Sequence, residues 1–392
     1  MRDVLVVCPQ ERDLRMIEAA GLGARYSVHA VGRDPDLPGF DPRAVVEEAM
    51  TLPADGVVGT KDRSALLAAA IAQRRGLPGP TVQAVYACQH KPTSRRIQRE
   101  TVPRATPRFE LLTGRELPFG PPLFVKPVVG RLSQNARRVD SPADLPRPGA
   151  HDDYATGYRA VADVAGLADG FEGFIAEELL DGAEVTLEGY VSDGKVTVIG
   201  ITDSLKYEGT NSFEGFVYPS SLPQPCLDEI EGVAKRLLPA LGFDGGFFNV
   251  EFFVPASGPA KVIEVNGRIA SQFASLVQAL HGRSTYDALF ALACGDDPAW
   301  DRGDPDGVSL SYVLRTFEDA FVEAVPWPQP NVELLVRPGA LLSEQGGTND
   351  PASFRLAILY QTGTDRDAAL ARARERAREL RFRLRPVPLR AP

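Results

Sequence analysis

Histidine is scarce in this chain: four in 392 residues, at His29, His90, His151 and His281. None stands in a metal-ligand spacing such as H-E-x-x-H, and no G-x-S-x-G occurs, so zinc-hydrolase and serine-hydrolase signatures are both missing. Cysteine is equally scarce. Cys8, Cys88, Cys226 and Cys294 are scattered with no C-x-x-C spacing, which fits reduced thiols in a cytoplasmic protein. No uncharged apolar run reaches 18 residues, so no membrane-spanning helix is expected. The opening MRDVLVVCPQERD has too few apolar residues for a secretion signal. Positive charge is in deficit: 43 Lys and Arg stand against 52 Asp and Glu, a net charge of -9. That balance speaks against nucleic acid and anionic membranes as partners.

What remains is a soluble globular composition, 44% hydrophobic and 24% charged, in a chain long enough for several domains. Strands and helices alternate at the start. VLVV at 4–7 and Val28–Val31 read as strands, Arg12–Ala20 as a helix, and the stretch DGVVGT as a strand end. DRSALLAAAIAQRRG follows, with Leu66, Leu67, Ala70 and Ile71 at helical spacing, a cap at Asp62 or Ser64, and a stop at Gly76. This order predicts a small parallel α/β domain. Further along, helices are expected over 228–241, 275–293 and 365–380, and strands over 309–316, 331–336 and 354–360. The polar, glycine-bearing segment 203–221 reads as a long mobile loop. Gly189 to Lys195 spells G-x-x-x-x-G-K, but Val196 follows and strands flank it. It is a hairpin turn rather than a phosphate loop.

One stretch carries the chemistry, GFFNVEFFVPASGPAKVIEVNGR, ending at Arg268. Two apolar runs flank a breaker segment at 255–260, the pattern of a β-hairpin. If Val254 pairs with Lys261, Glu251 lies directly opposite Glu264. Facing like charges destabilise a hairpin unless a divalent cation lies between them. Asn266 and Arg268 follow at steps of two and share that face. Oxygen ligands without histidine or cysteine suit Mg²⁺ rather than Zn²⁺. Upstream, Lys126 interrupts the apolar strand LFVKP, which is costly unless it meets an anion.

The order of these polar residues resembles the ATP-grasp family of ligases, over residues 55–300. The resemblance implies an α/β (α+β) ATP-grasp fold: a Rossmann-like N-terminal domain at 1–90, a lid at 91–180, a large subdomain with the metal site at 181–300, and a C-terminal α+β segment at 301–392. It implies ATP and Mg²⁺, with Mn²⁺ as a substitute. Lys91 in HKPTSRR and Lys126 would hold phosphates. Ser133 lies in the turn that would cover them. Glu177 and Leu180, in EELLDGAE, would hold the adenine, and Glu184 the ribose. Glu251, Glu264 and Asn266 would bind the metal, with Arg268 and Asn266 acting on the transferred phosphate. Lys206, Tyr207 and Ser212, in the segment 203–221, would contact substrate as that segment closes.

The activity implied is the joining of a small-molecule carboxylate to an amine through an acyl phosphate, in the cytoplasm. A homodimer is one expectation for the assembly. A biotin-carboxylase-like enzyme is the alternative, although IASQFASL after Arg268 lacks the Val-Glu-His pattern expected there. A non-catalytic ATP-binding module is the other. Each residue also has an ordinary reading taken singly. Lys91 could be a solvated helix lysine, Lys126 could snorkel from an edge strand, and Arg268 could simply pair with Glu264.

Overall fold

The structure is a computed structural model, and it describes residues 1–387 apart from 38, 115, 132–133, 147–152, 168–169, 304 and 346–352. The chain begins β1 (Arg2–Val7), α1 (Glu11–Ala19), β2 (Tyr26–Val31), α2 (Pro42–Thr51), β3 (Gly56–Gly59) and α3 (Asp62–Arg75). The three strands form a parallel sheet in the order β2-β1-β3, as the alternation of apolar runs implied. Val4 to Val7 are wholly buried, and α3 lays Leu66, Leu67, Ala70 and Ile71 into the core that holds Leu5 and Val7. Gly76 ends α3 in the left-handed region, φ 65°.

Helices α4 (Val82–Gln89) and α5 (Lys91–Thr101) lead into a small antiparallel sheet. Its strands are β4 (Phe109–Leu111), β5 (Leu123–Pro127), β6 (Arg137–Val139) and β7 (Phe174–Glu178), in the order β4-β7-β5-β6, with α6 (Asp153–Val164) between β6 and β7 in sequence. Helix α6 was not expected, because it opens in a Pro/Gly/Asp-rich stretch that reads as loop.

The remainder builds one eight-stranded antiparallel sheet. In chain order come β8 (Ala183–Ser192), β9 (Lys195–Lys206), β10 (Phe213–Tyr218), α7 (Gln224–Ala240), β11 (Gly246–Val254), β12 (Lys261–Asn266), α8 (Ala274–His281) and α9 (Thr285–Ala293). Then follow β13 (Val308–Thr316), β14 (Ala320–Ala324), β15 (Val332–Leu334), β16 (Phe354–Gly363), α10 (Arg366–Glu379) and β17 (Arg383–Pro386). The strand order is β12-β11-β8-β9-β10-β13-β16-β15, with β14 and β17 paired apart. The C-terminal segment is therefore continuous with the core sheet, not set off from it. Among the described residues no helix is long and apolar enough to cross a membrane.

Two expectations need correction. Segment 203–221 is not a mobile loop: it is the β9–β10 hairpin with only 207–212 as its turn. Phe216, Val217 and Tyr218 are buried, and Tyr218 turns its ring under Gly200 of the neighbouring strand. The consecutive apolar residues 216–218 outweighed the glycines. The single helix expected over 275–293 is two, because Gly282 takes φ 64° and Ser284 caps the second through the Tyr286 N–H at 3.2 Å. The turn at 192–195 is a tight hairpin with Asp193 and Gly194 at positive φ, as its sequence implied.

Gly59 fixes how closely α3 seats against β3. A Cβ there would run into the Ser64 carbonyl in the first helical turn. Gly59→Ala should therefore lower stability by about 1–3 kcal/mol, read as an earlier urea midpoint. An unchanged midpoint would show that α3 can move away from the strand without cost.

Candidate active site

The hairpin of β11 and β12 puts Glu251 directly opposite Glu264, with Asn249 opposite Asn266. The expected register holds only to that point. Beyond it Phe252 faces Val262 and Phe253 faces Lys261, so Val254 does not pair with Lys261. Ile263 is the extra residue of a β-bulge. Its carbonyl accepts from Arg95 Nη2 at 2.7 Å and from Lys126 Nζ at 3.2 Å. The bulge thus turns a backbone dipole from the ladder toward two cations. It leaves the carboxylates facing.

Burial, then the charges of Glu264 and Glu184, push the Glu251 carboxyl well above the usual carboxylate range. Asn266 Nδ2 donates to Glu251 Oε1 at 3.3 Å and to Asn249 Oδ1 at 2.9 Å. Asn249 Nδ2 in turn donates to the Arg268 carbonyl at 3.0 Å. A carbonyl only accepts, so this chain fixes both amide orientations. It turns Asn266 Oδ1 toward Arg268 Nη2, 3.4 Å away, and away from the gap between the carboxylates. Arg268 does not pair with Glu264. Its Nε meets Asp62 Oδ1 at 2.6 Å, across the join with the N-terminal domain.

The second cluster is buried beneath the small sheet. Glu177 accepts from Arg95 Nε at 2.7 Å and Nη2 at 3.0 Å, and pairs with Lys126 Nζ at 2.8 Å. Burial raises the Glu177 carboxyl, but Arg95 and Lys126 outweigh it and hold the group down at about 2. Burial lowers Lys126, against the pull of Glu177. Lys126 is thus no snorkelling edge residue. It is 6% exposed and aimed inward. Lys91 is not a solvated helix lysine either: it is 7% exposed at the first position of α5, with Nζ 3.4 Å from Glu264 Oε1. Its own N–H holds the Val128 carbonyl at 3.1 Å, tying α5 to the strand that carries Lys126.

Glu184 pairs with Lys206 Nζ at 2.8 Å, and that ammonium lies over the Phe253 ring. Leu180 is half-buried in the link between β7 and β8. Of the residues expected to contact substrate from 203–221, Lys206 faces this site. Tyr207 and Ser212 do not: Tyr207 donates to the Val313 carbonyl at 2.8 Å, and Ser212 is buried against Ser353. Ser133 lies outside the described residues.

Several members were not foreseen. Arg95 sits one helical turn after Lys91, a spacing that could have pointed to it. Asn249 and Glu188 continue the period-two polar rows of β11 and β8. Glu188 accepts from the Ala270 N–H at 3.0 Å, and burial pushes it up to about 8. Asp13, wholly buried, accepts from Ser271, Tyr286 and Thr60 hydroxyls at 2.9, 2.5 and 2.8 Å. Asn249 and Glu188 pin the backbone at Arg268 and Ala270, and Asp13 holds the Ser271 side chain just after them. Asp62 and Asp13 come from distant sequence, which gave no signal.

One face therefore presents two opposed carboxylates ringed by Lys91, Lys126 and Arg268. Among the described residues no group of three or more His, Cys, Asp or Glu could hold a metal. Two oxygen ligands fit a hard cation that draws its other ligands from phosphate and water.

Residues 119–276 match the family model of the ATP-grasp domain. No curated protein sequence matches the chain. Solved structures do. The L-amino acid ligase of Bacillus licheniformis shares 20% identity over 97% of this chain and 98% of that one, with a TM-score of 0.76. The phosphoribosylglycinamide synthetase of Anaerococcus prevotii shares 14% over 98% and 100%, TM-score 0.70. The biotin carboxylase domain of Hydrogenobacter thermophilus 2-oxoglutarate carboxylase, a dimer solved with MgADP and bicarbonate, shares 15% over 98% and 91%, TM-score 0.72. At such identities the likeness establishes the fold, which is the ATP-grasp fold.

Arg95→Met should cost about 3–5 kcal/mol in urea unfolding, because Glu177 would stay buried with one partner lost. A cost under about 1 kcal/mol would mean that water reaches the cluster. Glu188 has a folded value above its unfolded one, so the folded state holds its proton longer. Its contribution is full at low pH and is lost as pH rises toward about 8. Glu188→Gln should flatten the fall in melting temperature between about pH 5 and pH 8. An unchanged slope would remove Glu188 from that balance.

Proposed function

We propose that this chain, which carries an ATP-grasp domain over residues 119–276, is an ADP-forming ligase that joins a small-molecule carboxylate to an amine. The observation that carries this reading is the facing pair Glu251 and Glu264, with Arg268, Lys91 and Lys126 around it. Glu251 and Glu264 would hold Mg²⁺, or Mn²⁺ in its place. Bound there, the cation would neutralise phosphate charge and orient the transferred phosphoryl group. Lys91 and Lys126 place fixed positive charge along a triphosphate. Leu180 and the backbone around it, in the β7–β8 link, are within the span that would take the adenine. Glu184 would take a ribose hydroxyl, releasing Lys206. Glu177 acts through Lys126, holding its ammonium in place.

The first step makes a bond between a substrate carboxylate oxygen and the γ-phosphorus, and breaks the bridging oxygen bond, releasing ADP. The product is an acyl phosphate. An amine nitrogen then attacks the acyl carbon, phosphate leaves, and the amine loses a proton. Arg268 would meet the charge that gathers on the transferred phosphoryl oxygens, and Asp62, Asn249 and Glu188 would hold it without reorganisation. Asn266 orients Glu251 and presents its oxygen to Arg268. A homodimer is part of this proposal.

Phosphate release, assayed with ATP, Mg²⁺ and pools of acids and amines, tests the reading. Release that needs both an acid and an amine is the expected outcome. Release that needs bicarbonate and biotin would instead make the chain carboxylase-like, and ATP binding without turnover would make it a binding module. Glu264→Gln should cut turnover by at least about a hundredfold in a folded protein, comparable to the loss of a transition-state contact. Without metal it should be no less stable than the parent, since the facing repulsion is gone. Parental turnover in that variant would overturn the metal assignment.

A further inference from the structure

A single carboxylate of the N-terminal domain holds two arginines from distant parts of the chain. Asp36, in the link between β2 and α2, pairs with Arg63 on α3 and with Arg131, in the turn after β5. The link that carries Asp36 is braced. Asp34 accepts from the Asp36 N–H at 3.0 Å and from Gln10 Nε2 at 3.0 Å, so the Asp36 carboxylate is held in one place.

Both guanidiniums lie on one ring. Arg63 is 4.8 Å and Arg131 5.5 Å from the ring centroid of Tyr154, on α6. Arg63 also passes close to Gly157, where a Cβ would run into its guanidinium. Helix α6 packs on α2 and α3. Asp36, Arg63 and Tyr154 thus belong to one packed join between the N-terminal domain and α6, and Arg131 reaches that join from the strand that carries Lys126. The join adjoins the reacting centre. Burial pushes the Tyr154 hydroxyl well up, and Asp62, Arg131, Arg268 and Glu264 all lie near enough to act on it. Asp62, the partner of Arg268, precedes Arg63 directly in the chain.

The two arginines are not held alike. Arg63 is 6% exposed, so it needs a permanent counter-charge. The Arg131 side chain is 30% exposed, and its Nε is buried with no acceptor among the described residues. A buried donor with no acceptor is costly. One carboxylate against two guanidiniums leaves one positive charge over. If Arg131 departs, Asp36 and Arg63 remain as a neutral buried pair. If Arg63 departed, a buried charge would be stranded. The arrangement can therefore release Arg131 at low cost, but not Arg63.

We propose that Asp36 and the outer phosphates of ATP compete for Arg131: Asp36 holds the guanidinium in the absence of nucleotide, and Arg131 transfers to the β- and γ-phosphates when ATP binds, leaving Asp36 to Arg63. This rests on the ligase reading, which puts a triphosphate beside Lys91 and Lys126. It makes Arg131 a further phosphate-binding residue and Asp36 the anion that sets how readily it is given up. A triphosphate carries more negative charge than one carboxylate, and its oxygens match the fork of a guanidinium. The transfer also gives Nε an acceptor.

Calorimetry with the magnesium complex of adenylyl imidodiphosphate tests this, with AMP as the probe that lacks the outer phosphates. Asp36→Asn should bind the imidodiphosphate at least about threefold more tightly than the parent, because Arg131 is no longer drawn away. Arg131→Met should bind it at least about tenfold more weakly. Adding Asp36→Asn to Arg131→Met should bring no tightening. AMP affinity should be the same in all four proteins. Melting temperatures of the same samples report folding, and if Asp36→Asn does not fold, Arg131→Met decides alone. A contact that merely braces the join gives the opposite sign, weaker imidodiphosphate binding in a folded Asp36→Asn. That result, unchanged binding in either folded single variant, or tightening that persists without Arg131 would overturn the proposal and leave the ligase reading standing. Failure of the parent to bind the imidodiphosphate at all would overturn both.

Discussion

Two carboxylates that face each other across one hairpin set the terms for the rest of this structure. Glu251 and Glu264 cannot both be charged at low cost in a half-buried position without a cation between them. The fold does not relieve this by moving either one away. The bulge at Ile263 falls just past the pair, so the strands stay in register through Asn249, Val250 and Glu251 and slip only afterwards. The tension stays where a metal and its phosphates would resolve it. It resembles other sites where local cost is held by a rigid surround.

The cations around the pair are each held by an anion of the protein. Glu177 anchors Lys126, Asp62 anchors Arg268, Glu264 lies near Lys91, and Glu184 takes Lys206. These pairings keep long side chains in one place before any nucleotide arrives, which lowers the entropy lost on binding. They also couple the three-stranded, four-stranded and eight-stranded sheets. Arg95 ties α5 to β7 and β12, while Asp62 ties α3 to the strand end at Arg268. Asp13 ties α1 to the segment after it. A displacement of the N-terminal domain would therefore be felt at Arg268, through contacts made by only a few side chains.

Much of this was legible in the sequence, and for a physical reason. Steps of two along a strand fix which side chains share a face, so Glu251, Glu264, Asn266 and Arg268 could be grouped without a structure. Lys126 stood out because an apolar strand is a costly place for an ammonium. What was not legible depended on long-range contact. Nothing near Asp62 or Asp13 signals that they meet Arg268 or Ser271, and the amide chain from Asn266 to Asn249 to the Arg268 carbonyl exists only once the strands pair. The segment 203–221 was misread because the polar six-residue turn around Gly209 coloured the flanking strands. The break at Gly282 was missed because apolar spacing continues on either side of it.

The central claim is that Glu251 and Glu264 share a divalent cation together with nucleotide phosphate. Electron paramagnetic resonance with Mn²⁺ in place of Mg²⁺ measures this directly, by counting bound Mn²⁺ with and without ADP. Binding of Mn²⁺ that is strengthened by ADP, and lost in Glu251→Gln, is the predicted result. Nucleotide-dependent Mn²⁺ binding that is undiminished in Glu251→Gln would contradict the account.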